Sequence, residues 1–420
     1  MSQEGKIRTS QRAQLWMRWS ASWMAIPGYS TLVLTTTMIG FATALTNPFL
    51  PLFAITAVGM TPLALGIFLS ATALSGIVVS TILGRASDAH ADRRWILLFA
   101  TLAAVCGYTL FAVIRHYGAL LLISVLFIAV ASAAIPQLFA YARQSAARAH
   151  SRSAPFAISI LRTFFSVAWV IGPAIGALLL QHTGFTGLFL AVAGSYGLAA
   201  LLIFLFLRPC RSVRDPQSPP VGIHSLLRRD IGASTGAFVA LQAANTVGVI
   251  NLPLFLTHTL ARPASDVGVI FGTSAALEIP FMLAFGMATI KLNKLVLIRL
   301  GTLLGTAYFI AVGSVSATWQ IIVAQCLNAA FVAVSMGIGI SYFQDFLPGQ
   351  PGVATTLYTN TTRVGSIAAG LIAGSVAELW GYRSVFFACA TLTALAFCLL
   401  LWGEPQAIWP EGTDAGLSRA

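Results

Sequence analysis

Three ionisable side chains stand deep inside apolar stretches of this 420-residue chain: Arg162, Glu278 and Arg363. A charge in such a place is costly unless it is paired or faces water, so each is a candidate for function by default. A carboxyl buried in lipid keeps its proton readily, and a guanidinium brought beside it favours the ionised form. One acid with a movable arginine is therefore a proton switch, and a permanent structural ion pair is the plainer alternative. Arg363 has no acidic partner that the sequence names. The same stretches carry carboxamides at Asn47, Gln137, Gln242, Asn245, Asn251, Gln325, Asn328 and Asn360. Amides suit hydroxyl-rich ligands, whose apolar ring faces stack on aromatics; Trp169 is the stacking candidate. Gln242/Asn245 and Gln325/Asn328 are three residues apart, so each pair shares a helix face. Ordinary interhelical hydrogen bonding, about 0.6 kcal/mol per contact in a membrane bundle, competes for every one of them.

Such residues need elements that hold them at mid-membrane depth. Hydrophobic residues make up 57% of the chain and charged ones 9%, with a mean hydropathy of +0.85. Soluble domains carry about 25% charged residues, so lipid must be the solvent here. Spans of roughly 20 apolar residues fall near 31–55, 63–84, 95–114, 118–141, 154–180, 185–207, 231–256, 265–289, 295–314, 318–343, 352–378 and 383–402. The first of them outruns a signal-peptide core and is expected to stay as a span. The fold class is therefore an all-α membrane protein of twelve transmembrane helices. Its expected parts are a tail 1–30, a first bundle 31–207, a linker 208–230, a second bundle 231–402 and a tail 403–420.

The net charge of +12 does not call for nucleic acid, because the basic residues sit between spans. With the N-terminus inside, only Arg115, Arg262 and Arg383 fall on the far side, and Arg162 and Arg363 lie within spans. All others of the 24 basic residues are cytoplasmic. By the positive-inside rule both termini face the cytoplasm. The linker, with Pro209, Pro216, Pro219 and Pro220, separates six spans from six. The halves repeat weakly: Ser159-Ile-Leu-Arg162 and Gly184-Phe185 in the first answer to Asn360-Thr-Thr-Arg363 and Gly381-Tyr382 in the second. Parallel six-helix repeats build one large transporter class. The five cysteines are scattered, and the six histidines are dispersed over both sides. No metal spacing and no nucleotide-binding loop is present, so neither a cofactor nor enzymatic activity is expected.

The loop after the second span reads Gly84-Arg85-Ala86-Ser87-Asp88-Ala89-His90-Ala91-Asp92-Arg93-Arg94. Gly84, Asp88, Arg93 and Arg94 resemble the major facilitator signature, from which Ala89, Ala91 and Asp92 depart. The resemblance implies a conformational latch: Asp88 braces a neighbouring helix end and pairs with an arginine of the fourth span, here Arg143. Asp345 is assigned to the same latch. Trp169-Val-Ile-Gly-Pro173 resembles half of an antiporter motif. Pro136-Gln137 through Arg143, Gly272-Thr273 with Glu278-Ile279-Pro280, Phe343-Gln344-Asp345 and Ala354-Thr355-Thr356-Leu357 resemble the bacterial sugar efflux transporters.

That resemblance implies two six-helix bundles related by pseudo-twofold symmetry in a bacterial inner membrane. It also implies a monomer that exports mono- or disaccharides and glycosides in exchange for protons. Spans five and eight face each other in that fold. Arg162 stands about 12 Å and Glu278 about 16 Å from the cytoplasmic ends of theirs, at 1.5 Å per residue. They are expected to form the proton-coupling pair. A multidrug exporter of the same fold and a proton-coupled sugar importer are the alternatives.

Overall fold

The computed structural model describes residues 28–89, 92–148, 154–209, 229–347 and 351–403, apart from the side chains at 87–89, 147, 154–156 and 351–352. Nearly all of both tails and most of the linker lie outside the described residues. Among the described residues ten helices are long and apolar enough to cross a membrane. Two are too long to cross once. Ala154–Phe206 has 53 residues and Pro351–Trp402 has 52, about 80 Å each at 1.5 Å per residue against a hydrocarbon core of about 30 Å.

Each of these turns back at one glycine. Gly184 has φ 65° and ψ −168°, and Gly381 has φ 78° and ψ 166°, a backbone region essentially closed to residues with a side chain. Arg115 at the end of the third span donates to Thr186 Oγ1, and Arg94 at its start donates to the Phe204 carbonyl. The segment after Gly184 therefore returns antiparallel to the third span. Arg383 donates to Gly313 and Val315, and Arg299 to Leu400, which places the segment after Gly381 likewise. The two glycines are the ones the sequence repeat aligns.

The spans are α1 (Tyr29–Thr56), α2 (Pro62–Ala89), α3 (Arg93–Val113), α4 (Tyr117–Ala146), α5 (154–183), α6 (185–206), α7 (Arg229–Thr259), α8 (Ala264–Ala288), α9 (Lys294–Ser314), α10 (Thr318–Phe346), α11 (351–380) and α12 (382–402). In each half the third helix opens on a side-chain cap. Asp92 accepts from the Arg94 amide, and Asn293 from the Leu295 amide. Asp92, which departs from the family signature, thus supplies the acceptor that a helix N-terminus needs.

Aromatic clusters close the far ends of both halves. The Arg115 guanidinium lies 5.0 Å from the Phe53 ring centre, and Phe53 meets Phe189 edge-on. Arg383 lies 5.3 Å from Phe255, which meets Phe386 edge-on.

Irregular backbone is concentrated in α1, α4, α7 and α10. α1 breaks at residues 47–49, where Pro48 lacks an amide proton. α4, α7 and α10 contain π-helical stretches at Ser124–Ile128, Phe255–Thr259 and Ala333–Ile338. Such bulges leave carbonyls to be satisfied from outside the helix. Tyr358 of α11 donates to the Ser335 carbonyl in the α10 bulge.

Candidate functional site

α5 carries a stripe at three- and four-residue spacing: Ser159, Arg162, Thr163, Ser166, Val170, Pro173 and Ala177. Such a stripe is one face of a helix. Its upper half is packed on α8. A Cβ on Gly268 would lie 2.7 Å from the Pro173 carbonyl oxygen, and one on Gly272 would lie 3.1 Å from that of Val170. Its lower half, Ser159 to Ser166, is exposed.

α11 repeats the pattern. Gly370 and Gly374 are buried against α2, where a Cβ on Gly374 would fall 2.5 Å from the Pro62 carbonyl oxygen. Ser70 donates across this seam to the Ile367 carbonyl at 2.7 Å. Lower on α11, Thr356, Thr359 and Asn360 are exposed. Small residues let backbones approach this closely. The two halves are thus sealed along α2–α11 and α5–α8 at one end, and they part at the end that carries Arg85, Arg93 and Arg143. At that open end Gly84 has nothing within 4 Å of a would-be Cβ. The close approach a glycine permits is not made there.

Inside the crevice Glu278 is half-buried on α8, one turn below Ser274. Ser274 Oγ donates to Glu278 Oε1 at 3.4 Å and accepts from Asn328 Nδ2 at 2.9 Å. Asn328 also donates to Gln325 Oε1 at 3.1 Å, and Gln325 Nε2 reaches the Tyr308 hydroxyl at 3.4 Å. Asn245, Ser274, Tyr308, Gln325 and Asn328 line one small cavity. Tyr308 of α9, Gln325 and Asn328 of α10 and Ser274 of α8 therefore form one polar network that ends on the Glu278 carboxyl, with Asn245 of α7 facing the same cavity. Ser274 and Tyr308 are additions to the sequence reading. Ser274 was findable, because a hydroxyl four residues before an acid lies one turn from it on the same helix face.

The remaining candidates fall in three places. Trp169 is seven residues above Arg162 on the crevice side of α5, and its buried Nε1 has no hydrogen-bond partner. Asn47 is exposed at the break in α1, and Asn360 is exposed on the lower half of α11. Gln242 and Gln137 do not join the network. Gln242 Nε2 ties α7 to Thr362 of α11 at 2.7 Å, and buried Gln137 receives Arg93 at 3.5 Å. Gln242 and Asn245 therefore look different ways, whereas Gln325 and Asn328 bond to each other. Asn251 holds the Tyr382 carbonyl at 2.8 Å.

The two charged switch candidates are apart. Continuing the α5–α8 register below Gly272 sets Glu278 within about one helical turn of Arg162 in depth. Among the described residues no ion pair joins them. Arg162 instead lies within electrostatic reach of Arg143. Arg143 is also near Arg93, so three guanidinium groups gather at the open mouth. Arg94 is engaged with the Phe204 carbonyl and stacks over Trp95 at 5.4 Å. Asp345 is paired within the second half, to Lys294 at 2.8 Å. The side chain of Asp88, the expected partner of Arg143, lies outside the described residues. Arg363 is half-buried on α11, in line with Gly370 and Gly374.

The family model of the Major Facilitator Superfamily matches residues 32–233 and 233–416. Sugar efflux transporter A of Dickeya chrysanthemi is 39% identical over 363 residues, covering 86% of this chain and 92% of the relative. Sugar efflux transporter A of Escherichia coli is 34% identical over 376 residues, covering 88% and 95%. Among solved structures, the nucleoside transporter NupG superposes with a TM-score of 0.76 at 12% identity, over 90% of this chain and 99% of that one. A bacterial homologue of the lysosomal transporter Spinster gives 0.71 at 14% identity, over 91% and 97%. These structures share the fold. The chain belongs to the Major Facilitator Superfamily and, within it, to the group of proteins named sugar efflux transporters.

Proposed function

We propose that this protein exports sugars from the cytoplasm across a bacterial inner membrane by alternating access, in exchange for protons, as a monomer with both termini inside. The open end is then the cytoplasmic mouth, because it gathers the basic residues. The observation that carries the reading is the separation of two charges at matched depth. Glu278 rests on Ser274, Arg162 stands among arginines, and both lie just below the point where the α5–α8 seam ends.

Closing the mouth extends that seam downward and brings the lower half of α5 onto α8. A charged Glu278 would then meet Arg162, so loss of the proton favours the closed mouth and uptake of a proton favours the open one. A proton arriving from outside reopens the mouth and leaves to the cytoplasm. Sugar then occupies the crevice, and the deprotonated carrier turns outward. The order gives export driven by an inward proton gradient. Asn245, Gln325 and Asn328 are the amides placed to read sugar hydroxyls. The unpartnered Trp169 Nε1 supplies a donor from the other half.

Purified protein in liposomes, with an imposed pH gradient and a panel of labelled sugars and cationic dyes, tests the reading. Gradient-driven movement of a sugar is expected. Movement of dyes with none of the sugars would transfer the protein to drug export, the second reading of the same fold.

A further inference from the structure

We infer that Glu378, at the sealed end of α11, is a cross-bundle latch that holds the outer mouth shut by capping the N-terminus of α2. The first turn of α2 accounts for its amides one by one. Pro62 has no N–H. The Ala64 amide donates to Thr61 Oγ1 at 3.2 Å, and the Leu65 amide to the Thr61 carbonyl at 2.9 Å. Leu63 keeps the one amide that nothing in its own half takes, and it donates to Glu378 Oε2 at 3.2 Å. A carboxylate in this place also meets the positive end of the helix dipole.

The bond crosses the seam where the backbones are closest. A Cβ on Gly374, one turn below Glu378, would reach the Pro62 carbonyl oxygen at 2.5 Å. Parting the halves at this end therefore breaks the bond and leaves both groups to water. The latch exists in one of the two transport states only. α2 and α11 run antiparallel, so the latch joins the start of one to the end of the other.

The latch rests on the proposed orientation for the name of its mouth and is independent of substrate and proton coupling. Spin labels on Val58 and Trp380, in a chain whose five native cysteines are replaced, report the width of that mouth by electron–electron double resonance in nanodiscs. Glu378→Ala is expected to raise the ratio of open to closed outer mouth about fivefold, as the loss of a helix-end charge interaction predicts. Glu378→Gln, which keeps an acceptor, is expected to raise it about twofold, and Glu378→Lys to raise it most. Thr61→Ala removes a cap confined to one half and is expected to leave the ratio unchanged. Glu378→Gln is the variant to read should the lysine form fail to insert. Distances in the alanine and glutamine variants that match the parent would overturn the latch, as would an equal shift in Thr61→Ala.

Discussion

The two ends of the α5–α8 and α2–α11 interfaces are built from opposite materials. At the sealed end the contact is glycine against carbonyl: Gly66, Gly268, Gly370 and Gly374 let backbones meet. At the open end the same helix faces carry Ser159, Arg162, Thr163, Thr359 and Asn360. Glycine contacts are non-directional and need no partner of a given protonation state. Charged and hydroxyl groups close only when their charges are matched. One mouth seals mainly by shape, with the Ser70 and Glu378 bonds added at the seam, while the other closes only when the charges on its faces are matched.

Overpacking the sealed end should have the broadest effect, because it impairs counterflow as well as gradient-driven efflux. Gly374→Leu places a side chain where even a Cβ would meet the Pro62 carbonyl oxygen, and overpacking costs about 1–3 kcal/mol. Sugar efflux from liposomes should fall by at least about tenfold, with the outer mouth held open in spin-label distances. Wild-type rates would show that the seam is not used in transport.

Next comes Glu278→Gln. Gradient-driven efflux should be lost while sugar counterflow, which needs no net proton movement, continues. Full pH-driven activity in this variant would remove Glu278 from coupling. Arg162→Ala should slow gradient-driven efflux less severely, and the double exchange Arg162→Glu with Glu278→Arg should recover part of it.

A smaller effect is expected inside the network. Asn328→Ala leaves Ser274 and Gln325 without a donor. At about 1 kcal/mol for a lost hydrogen bond, KM for sugar should rise about fivefold with the maximal rate little changed. The smallest effect belongs to Gly84→Ala. A Cβ there meets nothing, and alanine favours the helix by about 1 kcal/mol. Thermal unfolding of the detergent-solubilised protein should shift upward by a few degrees or less, while turnover slows if Gly84 is needed when the mouth closes.

The elements were legible in the sequence because length and apolarity alone define a span. The two turns were legible because Gly184 and Gly381 recur in the same place of each half. The depths of Arg162 and Glu278 followed from counting residues at a fixed rise. Azimuth was not legible. A helix bathed in lipid is apolar on its outer face and its packed face alike, so the periodic signal that orients a soluble helix is absent. Gln242 and Asn245 could therefore be placed on one side of α7 but not pointed, and Gln242 turned out to hold α11. Gln137 and Asp92 hold helix ends for the same reason. The Leu63–Glu378 contact joins residues 315 positions apart, and no local pattern announces it.

In the proposed cycle, proton loss from Glu278 draws α5 and α8 together at the open mouth. Spin labels on Thr163 and Met282, both exposed on the parted faces, measure that gap directly. The distance should shorten as the pH is raised from about 5 to about 8 and should stay unchanged in Glu278→Gln. A gap that ignores pH in the parent chain, or that narrows equally in the glutamine variant, would contradict it.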